Sequence, residues 1–335
     1  MSKLLPQTQR GRRSAEAERL YQQQLADFCN KIIEIKSSLD FDISARGWCY
    51  MLEDYGLFKG DFDKAQALIT DCRKSGLLPL EIVAEDSARE YQCLEVLDSE
   101  PEDEAGSWVW SVQNAYLKYA PISFWDDLDC YIEMWVEKID LKSLFLPVCK
   151  TYKIPIANCR GWSDLNMRAA MMKRFAKHEA EGRQCVLLYC GDHDPAGLQI
   201  SGFIQGNLAE LAGAVGWRPD NLIVDRFGLN ADFIFENNLT WIDNLETGSG
   251  RRLDDPKHPD HAKPYVQDYL SRFGARKVEA NALVVRPTAG RELCKQAILR
   301  YVPEDAPDLY EQKLSPWRDQ LRNEIKRQFA QGGIV

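Results

Sequence analysis

The sequence predicts an α/β fold, because from residue 131 onward strand-length apolar runs alternate with segments of helical periodicity, and acidic motifs stand where two of the runs end. The runs are residues 131–136, 154–157, 185–190 and 222–224; the helical segments are 141–152, 165–180 and 197–211. Such alternation gives a mainly parallel sheet with helices on both faces, and it places functional groups at the carboxyl ends of the strands.

The first hundred residues read as mostly helical, with Leu20, Leu25, Phe28, Ile32 and Ile35 at helical spacing. After Ser44 come RGWCYMLEDYGLF, the helix-like DFDKAQALITDCRKSG and the short apolar segment LLPLEIVAED. Helix, helix, Gly-terminated helix and short strand are the parts of a winged helix, a pattern that other small α+β units share. Residues 97–106, with DSEPEDEAG at their centre, are acidic and contain Pro and Gly, which predicts a linker or exposed loop. A connecting helix follows at 108–119. The expected division is therefore a helical, winged-helix unit over 1–100, an acidic linker and connecting helix over 101–125, and an α/β domain with a C-terminal helical extension over 126–335. Within that extension, residues 317–329 form an amphipathic basic helix.

At 335 residues, 45% hydrophobic and 28% charged, the chain has the composition of a globular protein of about two domains. No apolar stretch approaches the ~18 residues of a membrane span, and residues 1–13 are polar and basic. A cytoplasmic protein with no membrane partner is the expectation. Ten cysteines lie scattered without a CxxC pair, which predicts reduced, buried thiols and no zinc ribbon. The net charge of -9 is uneven: residues 81–140 hold 16 acidic and 3 basic side chains, which leaves the remainder slightly positive. A basic face beside an acidic pocket and ordinary solvated helix charge both fit this split.

The run CVLLYCGDHDPAGLQISGF concentrates the chemistry. A buried strand ends at Gly191, Asp192 and Asp194 follow at alternate positions, and Pro195 opens a helix. Asp194 alone is accounted for as an N-cap. Asp192 beside it is not, since like charges at a strand end need a cation or a donor. Glu137, in IEMWVEKIDLKSLF, also ends an apolar strand, so an adjacent parallel strand brings it near the aspartates. Hard carboxylate oxygens of this kind suit magnesium, which keeps several waters and needs few protein ligands. His193, between the aspartates, projects away from them in an extended segment and is a candidate phosphate contact.

This combination resembles the Toprim fold family, a Rossmann-like domain in which a Glu follows one strand and a DxD follows a later one. More narrowly, VEK before a helix, GWSDLNMR after the second strand and DHDPAG with its trailing helix resemble the A subunit of type IIB topoisomerases and the related meiotic double-strand-break proteins. Corresponding segments there read VEK, GxPxxxTR and DxDPxG. The likeness covers residues 131–229, with a weaker match in KVEANAL at 277–283. It implies Mg2+ held by Glu137, Asp192 and Asp194, Glu137 also serving in acid or base chemistry, and DNA as the substrate. Arg160, Arg168 and Arg226, at or after strand ends, then become candidate DNA contacts, although surface salt bridges explain them equally.

In that family a tyrosine in a winged-helix segment resembling TKRxxYY attacks the phosphate. Here SARGWCY has Arg46 and Tyr50 at the matching spacing, with Ala45 in place of the motif's Lys and Cys49 in place of its first Tyr. Tyr50 is the candidate nucleophile, with Arg46 one helical turn away to stabilise a phenolate or grip the phosphate. If Tyr50 is passive, water attacks and the protein is a hydrolytic Toprim nuclease, of a defence or mobile-element system. A noncatalytic DNA-binding assembly subunit and a primase are further readings. The resemblance also implies a homodimer, and the chain contains no Walker A motif, so ATP-driven strand passage requires a separate ATPase subunit. His258 and His261 have HxxH spacing, but their Pro-rich, charged context reads as a surface loop.

Overall fold

Near-continuous apolar sequence makes two segments the inner strands of a parallel sheet, since a strand covered on both faces has no polar side to present. In the computed structural model, which describes residues 4–7, 14–84, 100–159, 165–246 and 251–331, these are β1 (Cys130–Val136) and β3 (Gln184–Cys190). Every residue of β1 is buried, as are six of the seven in β3. Each large aliphatic side chain so placed contributes roughly 1.5–3 kcal/mol relative to exposure. Outside them lie β2 (Ile156–Asn158) and β4 (Ile223–Gly228), giving the order β2-β1-β3-β4 with all neighbours parallel. The predicted alternation of strand and helix is thus present. β4 runs past the apolar run 222–224 because its polar residues are partnered: Tyr301 donates to Asp225 at 2.9 Å, and Arg226 is bonded to neighbouring carbonyls.

Helices α1 (Ala15–Ser37), α2 (Ala45–Glu53) and α3 (Phe62–Lys74) form the N-terminal part. Ser14 and Ser44 cap the first two, each accepting from a backbone N–H three residues on. On α1 the buried stripe is Leu25, Phe28, Cys29, Ile32 and Ile35, whereas Leu20 is exposed. The expected short strand after α3 is, at Leu80–Ile82, a 3-10 turn entered through Pro79, whose carbonyl accepts from Ile82 N–H. Trp48 Nε1 on α2 donates to the Ile82 carbonyl at 2.6 Å and fixes that turn. The end of that segment, Glu85 and Asp86, lies outside the described residues.

The acidic segment expected to be a linker is helical from Pro101. It opens α4 (Pro101–Gln113), with proline at the first position and Glu102, Asp103 and Glu104 in the first turn. That arrangement complements the unpaired N–H groups and dipole of a helix start. A 3-10 turn, Ala115–Lys118, completes the connecting segment.

β1 leads into α5 (Ile139–Thr151), β2 is followed by α6 (Leu165–Ala180), and β3 leads into the short α7 (Pro195–Leu198), then α8 (Ile200–Ala209) and α9 (Ala212–Val215). After β4 come α10 (Ala231–Glu236), α11 (Pro264–Phe273), the buried 3-10 helix Ala280–Val285, α12 (Pro287–Leu299) and α13 (Ala306–Ala330). The 3-10 helix packs against both α2 and α5, so the buried apolar cluster is continuous from the N-terminal helices into the sheet. α13 returns along α4 and the 115–118 turn, where Arg318 donates to the Tyr119 carbonyl and Arg322 lies over the Tyr116 ring. No helix among the described residues is long and apolar enough to cross a membrane.

Candidate functional site

The register of β1 on β3 ends with Val136 opposite Cys190, so the next residues of each strand, Glu137 and Gly191, emerge side by side at the carboxyl edge. Glu137 N–H donates to the Cys190 carbonyl at 3.0 Å, extending the ladder by one rung. Asp192 N–H then donates to Glu137 Oε2 at 2.9 Å, and the Tyr189 hydroxyl lies 3.4 Å from the same oxygen. A side chain at position 191 would place its Cβ 2.7 Å from Glu137 Oε2 and 2.5 Å from the Tyr189 hydroxyl, so only glycine lets the two strand ends close.

The two carboxylates meet at a single cation. Lys138 Nζ is 2.6 Å from Glu137 Oε1 and 3.0 Å from Asp192 Oδ2. Asp192 Oδ1 accepts the Ala280 N–H at 2.7 Å, so each of the four carboxylate oxygens has an assigned partner. Burial pushes Asp192 up to about 7, and the nearby charges of Glu137 and Asp194 add to this against the opposing pull of Lys138. Burial would raise Glu137 as well, but the Lys138 ammonium and the Asp192 N–H outweigh it and hold Glu137 below its usual range. The pair thus splits into a firmly ionised glutamate and a more basic aspartate.

Asp194 is turned to another task. Its Oδ1 accepts the Gly197 N–H at 2.6 Å and caps α7. It remains close enough for the charges of Glu137 and Asp192 to be felt. Among the described residues no three His, Cys, Asp or Glu side chains form a metal-holding group. The expected triad is therefore drawn together as a pair, Glu137 and Asp192, with Asp194 alongside as an N-cap.

A second polar cluster stands beside the pair, built on the segment after α11. His193 and Val278 form an antiparallel bridge, exchanging bonds of 2.8 and 3.1 Å. Ala280 bonds Asp192, and Glu279 faces α2, where it accepts from Arg46 Nε at 3.0 Å and from the Tyr50 hydroxyl at 2.9 Å. Burial would raise Glu279, yet Arg46, the Tyr50 hydroxyl and Lys277 hold it below its usual range. Tyr50 has no exposed surface, packs edge-on against Phe62 at 5.1 Å, and has its phenol driven far up by burial and by Glu279. It is a core tyrosine in this conformation, its hydroxyl committed to Glu279 of the same chain. Arg46 is correspondingly spent on Glu279, with Asp63 at 3.7 Å.

The other sequence candidates fall as follows. His193 does not face outward: it is buried among Trp241, Tyr269 and Phe273, and burial followed by the charges of Arg226 and Arg272 lowers it to about 4, so it is neutral at pH 7. That overturns its reading as a phosphate contact. Arg226 donates to the carbonyls of Gly197, Asp192 and Leu229 and to Asn230 Oδ1, which makes it a staple for the Asp192–Gly197 turn. Arg168 donates to the Asn207 carbonyl at 3.3 Å, on α8. Arg160 lies outside the described residues. His258 and His261 use their Nδ1 atoms within their own loop, on the Asp260 N–H and the Leu253 carbonyl.

Three groups that matter here had no role in the sequence reading. Lys138 was legible only as the last letter of VEK, and Glu279 only inside KVEANAL. Asp140 is fully buried and accepts from Ser44 N–H, Ser44 Oγ and Asn281 Nδ2, which joins the starts of α2 and α5 to the 3-10 helix. A helix-initiating Asp on the surface has the same sequence signature. Compared with protein-family models and with curated protein sequences, the chain gives no match.

Proposed function

We propose that this chain cleaves DNA strands by magnesium-dependent chemistry at a Toprim-like site, with the N-terminal helices acting as a winged-helix DNA-binding unit. One observation carries the reading: two carboxylates from adjacent parallel strands, Glu137 and Asp192, point an oxygen each at one positive charge. The donor set is all oxygen and suits a hard cation. Glu137, Asp192 and, through the oxygen not capping α7, Asp194 would hold the ion. Bound there, magnesium supplies a Lewis acid for the scissile phosphate and lowers the pKa of a coordinated water.

The chain's own groups do the positioning. Ala280 N–H fixes Asp192, Asp192 N–H fixes Glu137, and Arg226 holds the turn between Asp192 and Gly197. Burial of Tyr50 favours water over tyrosine as the attacking group, that is, a hydrolytic nuclease over a topoisomerase-like tyrosyl transfer. The resemblance to type IIB topoisomerases carries a homodimer and a separate ATPase subunit into the proposal as partners.

The test is nicking of supercoiled plasmid in MgCl2 and in EDTA. Asp192→Asn and Glu137→Gln are expected to lose at least ~100-fold in rate, the scale on which such groups act. Tyr50→Phe is expected to retain cutting, with no protein attached covalently to the DNA ends. Cutting abolished in Tyr50→Phe, with a covalent adduct in the unaltered protein, would establish tyrosyl transfer instead. DNA binding without cutting, unaffected by EDTA or Asp192→Asn, would establish a noncatalytic subunit.

A further inference from the structure

The Lys138 ammonium sits between Glu137 Oε1 and Asp192 Oδ2, at 2.6 and 3.0 Å, on the side of the acid pair that solvent reaches: 27% of its side chain is exposed against 10% of Asp192. The remaining oxygen of each acid is tied to a backbone N–H, Asp192 Oδ1 to Ala280 and Glu137 Oε2 to Asp192. A lone pair of buried carboxylates so close together would repel, and one of them would take up a proton or swing away. The lysine opposes both, offsetting the repulsion at the two oxygens it touches. It is the residue immediately after Glu137, on the extended turn that enters α5, so its long stem can leave the pair without moving either strand end.

We infer that Lys138 is a resident counter-ion that keeps Glu137 and Asp192 at cation-holding separation in the metal-free protein and yields its place to a divalent cation. The inference rests on the metal-dependent reading of the same site. Lys138 and the metal compete for the same two oxygens, so the lysine lowers metal affinity while it preserves the geometry that the metal needs. The ammonium, once displaced, stays tethered one residue from the site, where an anionic phosphate is its natural partner.

The experiment is calorimetric titration of MgCl2, and separately MnCl2, into the unaltered protein, Lys138→Met and Lys138→Arg, with melting curves in EDTA and in saturating MgCl2. Removing one competing unit charge at contact distance is expected to tighten the dissociation constant of Lys138→Met by about tenfold or more. Lys138→Arg is expected to stay near the unaltered value. In EDTA, Lys138→Met melts below the unaltered protein, and magnesium closes the gap by mass action. Equal affinities in Lys138→Met and the unaltered protein would overturn the inference while leaving the metal reading intact; no binding by any of the three proteins would overturn the metal reading itself. Should Lys138→Met fail to fold, the unaltered protein gives a second readout. One lysine Nζ resonance, absent from Lys138→Arg, should move on saturation with magnesium, and a spectrum in which none moves contradicts the displacement.

Discussion

Burial in the fold shifts the ionisation of Asp192 strongly. In an unfolded chain an Asp titrates near ~3.9, whereas burial in the native site raises Asp192 to about 7. Between those values the native state holds a proton that the unfolded state has shed, so metal-free stability falls as pH rises through that window. The contribution is fully present below about pH 4 and lost by about pH 7–8. Asp192→Asn removes this dependence, and melting temperatures in EDTA at pH 5 and pH 8 are expected to lie closer together than in the unaltered protein; an unchanged gap would contradict the assignment. The aspartates were legible in the sequence because two acids at alternate positions after a strand-ending glycine repel unless a cation or donor stands between them. Lys138 and Glu279 were not, because their significance lies in which distant atoms they meet, Asp192 for the one and Arg46 with Tyr50 for the other.

Among the elements, the strands and their order of alternation were readable from apolar run length, but the full-length register that brings Val136 opposite Cys190 was not, since two strands buried on both faces carry no polar pattern to fix it. The acidic segment at 101–106 was misread because composition alone does not distinguish a loop from a helix start that gathers acids at its N-terminal turn. Joining of α2, α5 and the 280–285 turn through Asp140 was invisible, since it depends on burial. Asp140→Ala would strand the Ser44 and Asn281 donors, and a loss of roughly 1–3 kcal/mol is expected from a urea melt, as for neutral buried donors left without an acceptor. A loss under 1 kcal/mol would show that water replaces the carboxylate. α4 makes the opposite prediction. Its Trp108 and Trp110 are 66% and 65% exposed, so Trp108→Ala with Trp110→Ala is expected to change monomer stability by no more than about ±0.5 kcal/mol per site.

At the scale of the whole molecule, one apolar cluster runs from the N-terminal helices through the sheet to α12, and the polar segment 277–281 threads between them. The acid pair is therefore held from both sides: by the strand ends of the sheet and, through Ala280 and Glu279, by the segment that also binds α2. The central claim, that Glu137 and Asp192 form a cage for a divalent ion, is tested most directly by soaking crystals in MnCl2 and computing an anomalous difference map. A peak between Glu137 Oε1 and Asp192 Oδ2, with Lys138 displaced, is the predicted result. A map without that peak at saturating manganese, with Lys138 still bridging the two acids, would contradict the account.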